Sequence, residues 1–259
     1  MDVYWLAQTA QDVPAADCWL SAREALRLDG MRFPKRRADW RLGRWTAKCA
    51  VSAYLNLPRH PEALAAIEVW PAPSGAPEIH IANRPAAVTI SLSHSGCSGF
   101  CAVAGPGTEL GCDVETVEPR SRAFLADYFT PEEKLLVART PAAERDRLLT
   151  LLWSAKESVL KALRCGLRSD TLCVSTVPVD ALPPHPEWRP LSSTHTGGRT
   201  FHGWWRETNG LVWTLVADPP VLVRQADNLV VNLRRIVTLP AAAVDNSHAT
   251  FQTAPPPSS

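Results

Sequence analysis

The stretch LGCDVET, residues 110–116, has the character of a β-strand and places two carboxylates two positions apart. Successive side chains of a strand point to opposite faces, so Asp113 and Glu115 share one face while Cys112 and Val114 share the other. Two like charges a few ångströms apart raise each other's pKa unless a cation or water lies between them. The pair therefore indicates a cation-binding face or, as the more common case, the solvated face of an edge strand.

The composition indicates a globular protein with one large domain or two small ones. The chain has 259 residues, 46% of them hydrophobic, which is enough to bury a sizeable core. Its net charge of +1 argues against a protein that coats nucleic acid or an anionic membrane. Seven cysteines without C-x-x-C spacing indicate reduced thiols. Since no signal-peptide pattern opens the chain and no apolar run approaches about 18 residues, we expect a cytosolic protein.

The remaining sequence alternates strand and helix patterns, which predicts an α+β fold. TPEE, residues 130–133, has the form of a capping box at the start of a helix. Asn209 and Gly210 predict a hairpin turn. Helices are predicted over residues 15–28, between Met31 and Pro58, and over residues 142–165 with Gly166 just past the last turn. Strands are predicted at residues 3–10, 78–82, 88–95, 100–104, 172–174, 201–206 and 211–217.

A basic stripe marks the predicted helix between Met31 and Pro58. Four cations fall at i, i+4, i+7 and i+11 on one face, namely Arg37, Arg41, Arg44 and Lys48. The stripe predicted to be buried consists of Ala38, Leu42, Trp45, Cys49 and Ala53. An ordinary solvated face usually mixes both signs, whereas only Asp39 interrupts the positive charge here. The stripe therefore favours a site for phosphate.

The predicted helix containing LLWSAKESVLKALRCG brings a carboxylate and a lysine to one face. Glu157 and Lys161 lie at i and i+4 beside Trp153. A surface ion pair of this kind contributes only about 0.3–0.5 kcal/mol. If Glu157 instead faces Asp113 and Glu115, three carboxylates form an oxygen-only site that suits Mg²⁺ or Mn²⁺ rather than zinc. The spacing alone does not separate these readings.

SLSHSG, residues 91–96, places a serine and a histidine at the end of a predicted strand. The nucleophile elbow of a serine hydrolase requires G-x-S-x-G between a strand and a helix, whereas this segment leads into another strand. We therefore reject a hydrolase. Ser93 and His94 can still donate hydrogen bonds to phosphate oxygens, although a lone histidine is more often structural.

Taken in order, SLSHSG, GCDVET and WSAKESVLKALRCGL resemble the three signature blocks of the 4′-phosphopantetheinyl transferases, specifically the longer, surfactin-type branch. The third block is the most specific, and looser similarity runs from the first strand to about residue 218. These enzymes transfer the phosphopantetheine arm of coenzyme A to a serine of a carrier protein. The resemblance implies two similar α+β halves in a pseudo-twofold arrangement, over residues 1–118 and 119–220. We expect the extension over residues 221–259 to be disordered at its end.

The resemblance also implies roles for particular residues. The Mg²⁺ ligands match Asp113, Glu115 and Glu157, of which Glu157 is also a candidate base for the carrier serine. The positions that contact the phosphates of coenzyme A match Ser93, His94, Lys156 and Lys161. Of these, Lys161 is a candidate to neutralise or protonate the departing phosphate. The segment that binds the 3′-phosphate contains Lys35, Arg37 and Arg44.

One departure from the family concerns the loop before the strands. The family often has a lysine or arginine between glycine and proline, whereas this loop is Gly75-Ala76-Pro77. Arg84 or the basic helix can replace the missing cation.

The resemblance implies a monomer whose partners are coenzyme A and an apo acyl or peptidyl carrier protein of fatty acid, polyketide or nonribosomal peptide synthesis. The alternative is a coenzyme A- or carrier-binding module that has lost transfer. A third class, a Mg²⁺-dependent nucleic-acid enzyme, is disfavoured by the near-neutral charge and the absence of an aromatic-interleaved basic platform.

Overall fold

A computed structural model of the chain describes residues 2–179, 188–218 and 232–235. It confirms the α+β class. The helices of these residues are α1 (Ala22–Asp29), α2 (Pro34–Tyr54), α3 (Pro61–Ala65), α4 (Arg122–Tyr128), α5 (Pro131–Arg139) and α6 (Arg145–Ala162). The strands are β1 (Asp2–Thr9), β2 (Ile67–Pro71), β3 (Pro77–Ile81), β4 (Arg84–Pro85), β5 (Thr89–Ser95), β6 (Ser98–Ala104), β7 (Glu109–Thr116), β8 (Val174–Pro178), β9 (Arg189–His195), β10 (Thr200–Thr208), β11 (Leu211–Asp218) and β12 (Asn232–Arg235).

The strands form three sheets, with the orders β12-β1-β6-β5, β7-β11-β10-β9-β8 and β2-β3-β4. Strand β12 runs parallel to β1, and the other neighbouring strands are antiparallel. Strand β7 carries LGCDVET and pairs with β11 along its whole length. The D-x-E strand therefore belongs to the same sheet as the strands of the predicted second half. The division near residue 118 and the pseudo-twofold axis stay predictions.

Helix α6 lies against β7 because β7 has a glycine at the contact. A Cβ atom at Gly111 would lie 1.7 Å from the carbonyl oxygen of Ser158. The side chains of Ser154 and Ser158 each hydrogen-bond to Thr214 Oγ1 of β11, at 2.8 Å in both cases. This close approach fixes the position of α6, and with it Glu157 and Lys161, relative to the carboxylates of β7.

Helices α2 and α6 each carry a fully buried lysine in the same type of environment. Lys48 Nζ lies 2.6 Å from Glu24 Oε2, and Lys156 Nζ lies 2.9 Å from Glu133 Oε2. Both glutamates also close a capping box, at the starts of α1 and α5. Each accepts a further backbone N–H bond, from Val69 in one case and from Thr176 in the other. The same local arrangement thus occurs once in each predicted half.

Several predicted boundaries differ from the structure. The helix predicted from residue 15 begins at Ala22, because the side chain of Ser21 accepts the N–H of Glu24 and caps it. Helix α6 ends at Ala162, and the residue that turns the chain into the left-handed region is Arg164, with φ 56°, two positions before Gly166. Ala38, predicted to be buried, is exposed. Strands β2, β4, β9 and β12 were not predicted, and β8 begins two residues later than predicted.

The predictions that rest on short-range signals are confirmed. Thr130 and Glu133 form the capping box of α5, and Asn209 and Gly210 both adopt positive φ in the turn between β10 and β11. No helix within the described ranges combines the length and apolar character that a membrane span needs. The predicted disordered end of the chain lies outside the described residues.

Candidate functional site

The centre of the candidate site is a buried aspartate on β7. Asp113 Oδ1 accepts hydrogen bonds from Ser93 Oγ at 2.6 Å and from Lys161 Nζ at 2.7 Å. Lys161 Nζ also donates to Ser93 Oγ at 3.0 Å and to the carbonyl of Cys112 at 3.2 Å. Strand β5, strand β7 and helix α6 therefore each contribute one polar side chain to a single cluster, which we call the Asp113 centre.

The other two predicted carboxylates lie beside the Asp113 centre. Glu157 Oε2 is 3.9 Å from Lys161 Nζ. Burial raises the pKa of Glu157 to about 7, and Asp113 and Glu115 add to the rise while Lys161 opposes it. Burial and the charge of Asp113 also raise the pKa of Glu115, against the opposing effect of Arg120, whose guanidinium lies 3.4 Å from it. The mutual repulsion predicted for the carboxylates is thus present.

Lys161 supplies the positive charge that this repulsion requires. Burial lowers the pKa of the Lys161 ammonium, but Asp113, Cys112 and Glu157 outweigh that effect, so the pKa is raised overall. The side chain of Lys161 is 26% exposed, whereas that of Asp113 is 3% exposed. The ammonium therefore stays charged and reaches from the buried aspartate to solvent.

The carboxylates at and beside the Asp113 centre are of the type that binds a hard cation. Asp113 Oδ2 is buried and has no hydrogen-bond partner within the described residues. The candidate metal ligands beside it are also carboxylate oxygens, those of Glu115 and Glu157. Buried polar atoms are normally satisfied, and Mg²⁺ prefers oxygen ligands. Within the same residues, no three His, Cys, Asp or Glu side chains are grouped closely enough to hold a metal ion as they stand. Asp113, Glu115 and Glu157 as Mg²⁺ ligands therefore remain a prediction.

A cavity of about 460 Å³ opens beside Lys161. Its walls come from loop residues 74–77, from β5, and from the end of α6, including Arg164 and Arg168. We call it the Lys161 cavity. Its lining residues include three cations, Lys161, Arg164 and Arg168, and no carboxylate. The cavity is therefore suited to an anionic ligand.

A second cavity, also of about 460 Å³, lies at the start of α2. It is lined by Phe33, Lys35, Arg36, Asp39, Trp40 and His94, and we call it the Lys35 cavity. Ser93 and His94 are successive residues of β5, so their side chains point to opposite faces. This alternation explains why Ser93 reaches the Asp113 centre while His94 lines the Lys35 cavity. Of the predicted 3′-phosphate residues, Lys35 is the one that lies with His94.

The basic stripe of α2 is neutralised by neighbouring elements. Arg37 donates to the carbonyls of Leu28 and Met31. Arg41 pairs with Asp17 at 2.8 Å. Arg44, whose side chain is 14% exposed, lies 3.9 Å from Glu24, and burial lowers its pKa to about 10. Arg37 and Arg44 as phosphate ligands therefore stay predictions, and their guanidinium groups already contact the loop before α2 and the buried Glu24.

Lys156 as a ligand of the coenzyme A phosphates stays a prediction, and its buried position argues against it. Its ammonium is fully buried, pairs with Glu133 and donates to the carbonyls of Thr171 and Val174. Such an ammonium cannot contact a coenzyme A phosphate without breaking a buried ion pair. Lys156 therefore belongs to the core beneath α6, while Lys161, five residues later, belongs to the site.

Four cations near the site were not selected from the sequence. Arg36 is adjacent to the predicted Lys35, so the basic segment indicated the right region. Arg120 follows β7 and pairs with Glu115, and Arg164 and Arg168 follow α6. The last two belong to the sequence LRCGLR, residues 163–168. Gly166 signals the end of the helix there, but the residue in the left-handed position just after the helix is Arg164.

Comparison with known proteins shows which family and which proteins this chain is similar to. Residues 109–215 match the model of the 4′-phosphopantetheinyl transferase superfamily. The chain is 25% identical over 159 residues to the 4′-phosphopantetheinyl transferase HetI of Nostoc sp., covering 61% of this chain and 63% of that protein. It is 24% identical over 167 residues to a putative 4′-phosphopantetheinyl transferase of Synechocystis sp., covering 63% of this chain and 65% of that protein. The matches thus span somewhat less than two thirds of these relatives.

The matched segment contains strand β7, which carries Asp113 and Glu115, and helix α6, which carries Glu157 and Lys161. The α+β fold and the match of residues 109–215 show a similarity to the 4′-phosphopantetheinyl transferase superfamily. The resemblance seen in the sequence is confirmed at this level, since the model of the superfamily and both similar proteins point to the same class.

Proposed function

We propose that this protein transfers the 4′-phosphopantetheine arm of coenzyme A to a serine of an apo carrier protein, as a holo-[acyl-carrier-protein] synthase does. The observation that carries the proposal is the Asp113 centre. The centre joins a buried carboxylate that has an unpaired oxygen to a charged lysine that reaches solvent. It lies beside a second carboxylate, Glu157, and beside a cavity suited to an anion. The match of residues 109–215 to the superfamily supports the same reaction.

The bonds that change define what the site must do. The serine hydroxyl oxygen forms a bond to the phosphorus that carries the pantetheine, and the bond from that phosphorus to the diphosphate bridging oxygen breaks. Adenosine 3′,5′-bisphosphate leaves with the bridging oxygen, and the serine loses its proton. Negative charge therefore develops on the departing phosphate, and one proton must be accepted. Catalysis needs positioning and charge neutralisation more than covalent chemistry by the protein.

Lys161 is placed to neutralise the departing phosphate. Its ammonium is anchored to Asp113 and Ser93 on one side and lines the Lys161 cavity on the other. A fixed cation costs no reorganisation when the negative charge develops, so it stabilises the transition state more than a mobile one. Ser93 holds both partners of this ion pair in place by donating to Asp113 and accepting from Lys161.

The carboxylates have two proposed roles. Asp113, Glu115 and Glu157 would hold Mg²⁺, which supplies Lewis-acid neutralisation of the diphosphate oxygens when bound. Glu157 is also the proposed base for the carrier serine, directly or through a water molecule. Its side chain is 18% exposed, so it remains accessible from solvent.

The adenosine end of coenzyme A is proposed to lie at the Lys35 cavity. Lys35 and Arg36 are exposed and line the cavity together with His94. Lys35 pairs there with Asp39 at 2.8 Å, an exposed ion pair that a phosphate can displace more easily than the part-buried contacts of Arg37 and Arg44. This assignment moves the predicted 3′-phosphate site one turn towards the start of α2, since Arg37 and Arg44 are engaged elsewhere.

Intact-mass spectrometry of carrier proteins tests the proposal. Purified apo acyl and peptidyl carriers are incubated with this protein, coenzyme A and Mg²⁺, with EDTA and a carrier lacking the acceptor serine as controls. We expect each competent carrier to gain the mass of one phosphopantetheine, and EDTA to abolish the gain. Failure to modify a panel of acyl, peptidyl and polyketide carriers, together with measurable binding of coenzyme A, would favour a binding module without transfer.

A further inference from the structure

The wall of the Lys161 cavity contains two arginines with no assigned role. Arg164 and Arg168 follow α6 and line the cavity together with Lys161. The opposite wall is loop residues 74–77, which contain Ala76 and no cation. Positive charge in this cavity thus comes from the end of α6 and not from the loop. We propose that Arg164 and Arg168 complete, with Lys161, a binding site for a phosphate-bearing part of the substrate.

Arg164 occupies a backbone position that normally selects glycine. Its φ is 56°, and the chain there forms the two hydrogen bonds that end a helix in this way, from Cys165 N–H to the Leu160 carbonyl and from Arg164 N–H to the Lys161 carbonyl. A residue with a Cβ is disfavoured in this conformation, and asparagine is the usual second choice. Ala82, at φ 49°, shows that such a residue can occur without a functional side chain, so the argument for Arg164 also needs its place in the cavity.

Helix α2 ends in the same type of turn, with a residue type that is common at the left-handed position. It ends with the same pair of hydrogen bonds, from Leu57 to Ser52 and from Asn56 to Ala53, and Asn56 has φ 54°. The two helix ends are thus alike in backbone geometry and differ in the residue at the left-handed position. Arg164 is the one that lines a cavity with other cations, so its charge and not the turn explains the choice.

Arg168 connects the two walls of the cavity. Its guanidinium donates to the carbonyl of Ser74 in the loop and to that of Cys165 after α6. Arg164 is held more loosely, 3.9 Å from Glu78 with its side chain 49% exposed. Arg168 therefore fixes the loop against α6, while Arg164 can turn towards a ligand. A guanidinium is well suited to this task, because its fork of donors matches two phosphate oxygens at once.

The identity of the ligand, coenzyme A, rests on the proposed function, whereas the anion site does not. The test uses the full chain as wild type, Arg164→Gly, Arg168→Ala and the control Asn56→Gly. For each protein, the Kd for coenzyme A is measured by calorimetry with Mg²⁺ present, and the midpoint of thermal unfolding is measured in parallel. Asn56→Gly makes the same change to the same backbone turn, outside the cavity.

We expect Arg164→Gly to raise the Kd for coenzyme A about tenfold, the effect of losing one charge-assisted hydrogen bond, while the unfolding midpoint stays equal or rises. Arg168→Ala should raise the Kd by at least as much. Asn56→Gly should leave the Kd unchanged. A Kd within twofold of wild type in both arginine variants would overturn the inference, even if the protein transfers phosphopantetheine.

A failure of the proposed function gives a different result. If the wild type binds coenzyme A but modifies no carrier, the Kd values above still decide the role of the arginines. If the wild type does not bind coenzyme A, inorganic pyrophosphate becomes the probe in the same four proteins. Binding that the two arginine substitutions weaken would support an anion site for another ligand, and no binding of pyrophosphate would refute the site.

Discussion

Gly111 lies so close to α6 that adding one methyl group, in Gly111→Ala, tests whether this contact positions the site. In Gly111→Ala, the new Cβ would lie 1.7 Å from Ser158 O and 2.9 Å from Ala162 N, both backbone atoms. Cβ contacts shorter than 3.0 Å are essentially never seen, so β7 and α6 must separate by more than an ångström. Asp113 lies on one of these elements, while Glu157 and Lys161 lie on the other.

Two separate losses follow from this displacement. Overpacking of a core contact costs about 1–3 kcal/mol, which lowers the unfolding midpoint by about 2–4 °C per kcal/mol in a chain of this size. A misplacement of about 1 Å between reacting groups can lower turnover about 100-fold. We therefore expect Gly111→Ala to fold with reduced stability and to lose most of its carrier modification, as measured by intact-mass spectrometry at a temperature where it is fully folded.

Two other glycines supply matched controls. A Cβ at Gly203 would meet the side chains of Leu191 and Val216, at 2.3 Å and 3.0 Å, so Gly203→Ala should cost stability without displacing α6 from β7. Gly43, within α2, has no atom within 4 Å of its would-be Cβ, so Gly43→Ala should be neutral or stabilise by up to about 1 kcal/mol. If Gly111→Ala retains as much turnover as Gly203→Ala, the close approach of α6 does not position the site.

Three further experiments test individual side chains. Asp113→Asn or Glu157→Gln should lower carrier modification at least about 100-fold while the circular dichroism spectrum stays native; unchanged turnover in either would remove that carboxylate from the site. Lys156→Met breaks the buried pair with Glu133 and should destabilise the protein by about 3–5 kcal/mol in urea unfolding, with no change in the Kd for coenzyme A. A changed Kd for coenzyme A, measured where the variant is fully folded, would show that Lys156 does contribute to the site. Replacing Lys35 and Arg36 together with alanine should weaken coenzyme A more than dephospho-coenzyme A in calorimetry, and equal weakening of both would place the 3′-phosphate elsewhere.

The sequence predicted the features that depend on neighbours along the chain. The capping box at Thr130 and the turn at Asn209 are encoded within four residues, and the structure contains both. The alternation of β7 placed Asp113 and Glu115 together, and burial together with the charge of Asp113 raises the pKa of Glu115. In each case the decisive interaction lies within a few residues of the pattern.

The sequence failed where the partner of a side chain comes from a distant element. Lys48 and Lys156 have the charge and the spacing of surface residues, but both are buried. The carboxylates that pair with them lie 24 and 23 positions earlier in the chain. No helical period reveals Glu24 or Glu133 as those partners. The basic stripe likewise predicts that Arg41 belongs to an anion site, whereas its guanidinium pairs with Asp17. Charge patterning identified the cations correctly and gave no information on which of them were already neutralised.

The same distinction explains which lysine of α6 can act on a substrate. Lys156 and Lys161 are five residues apart on a helix with 3.6 residues per turn, so their side chains differ in direction by about 140°. Lys156 therefore points into the core against Glu133, and Lys161 points across β7 to Asp113. Both lysines have a carboxylate partner, but only Lys161 combines a partner with exposure. A charge must be anchored and yet reachable to stabilise a developing phosphate anion, and within α6 Lys161 meets both conditions.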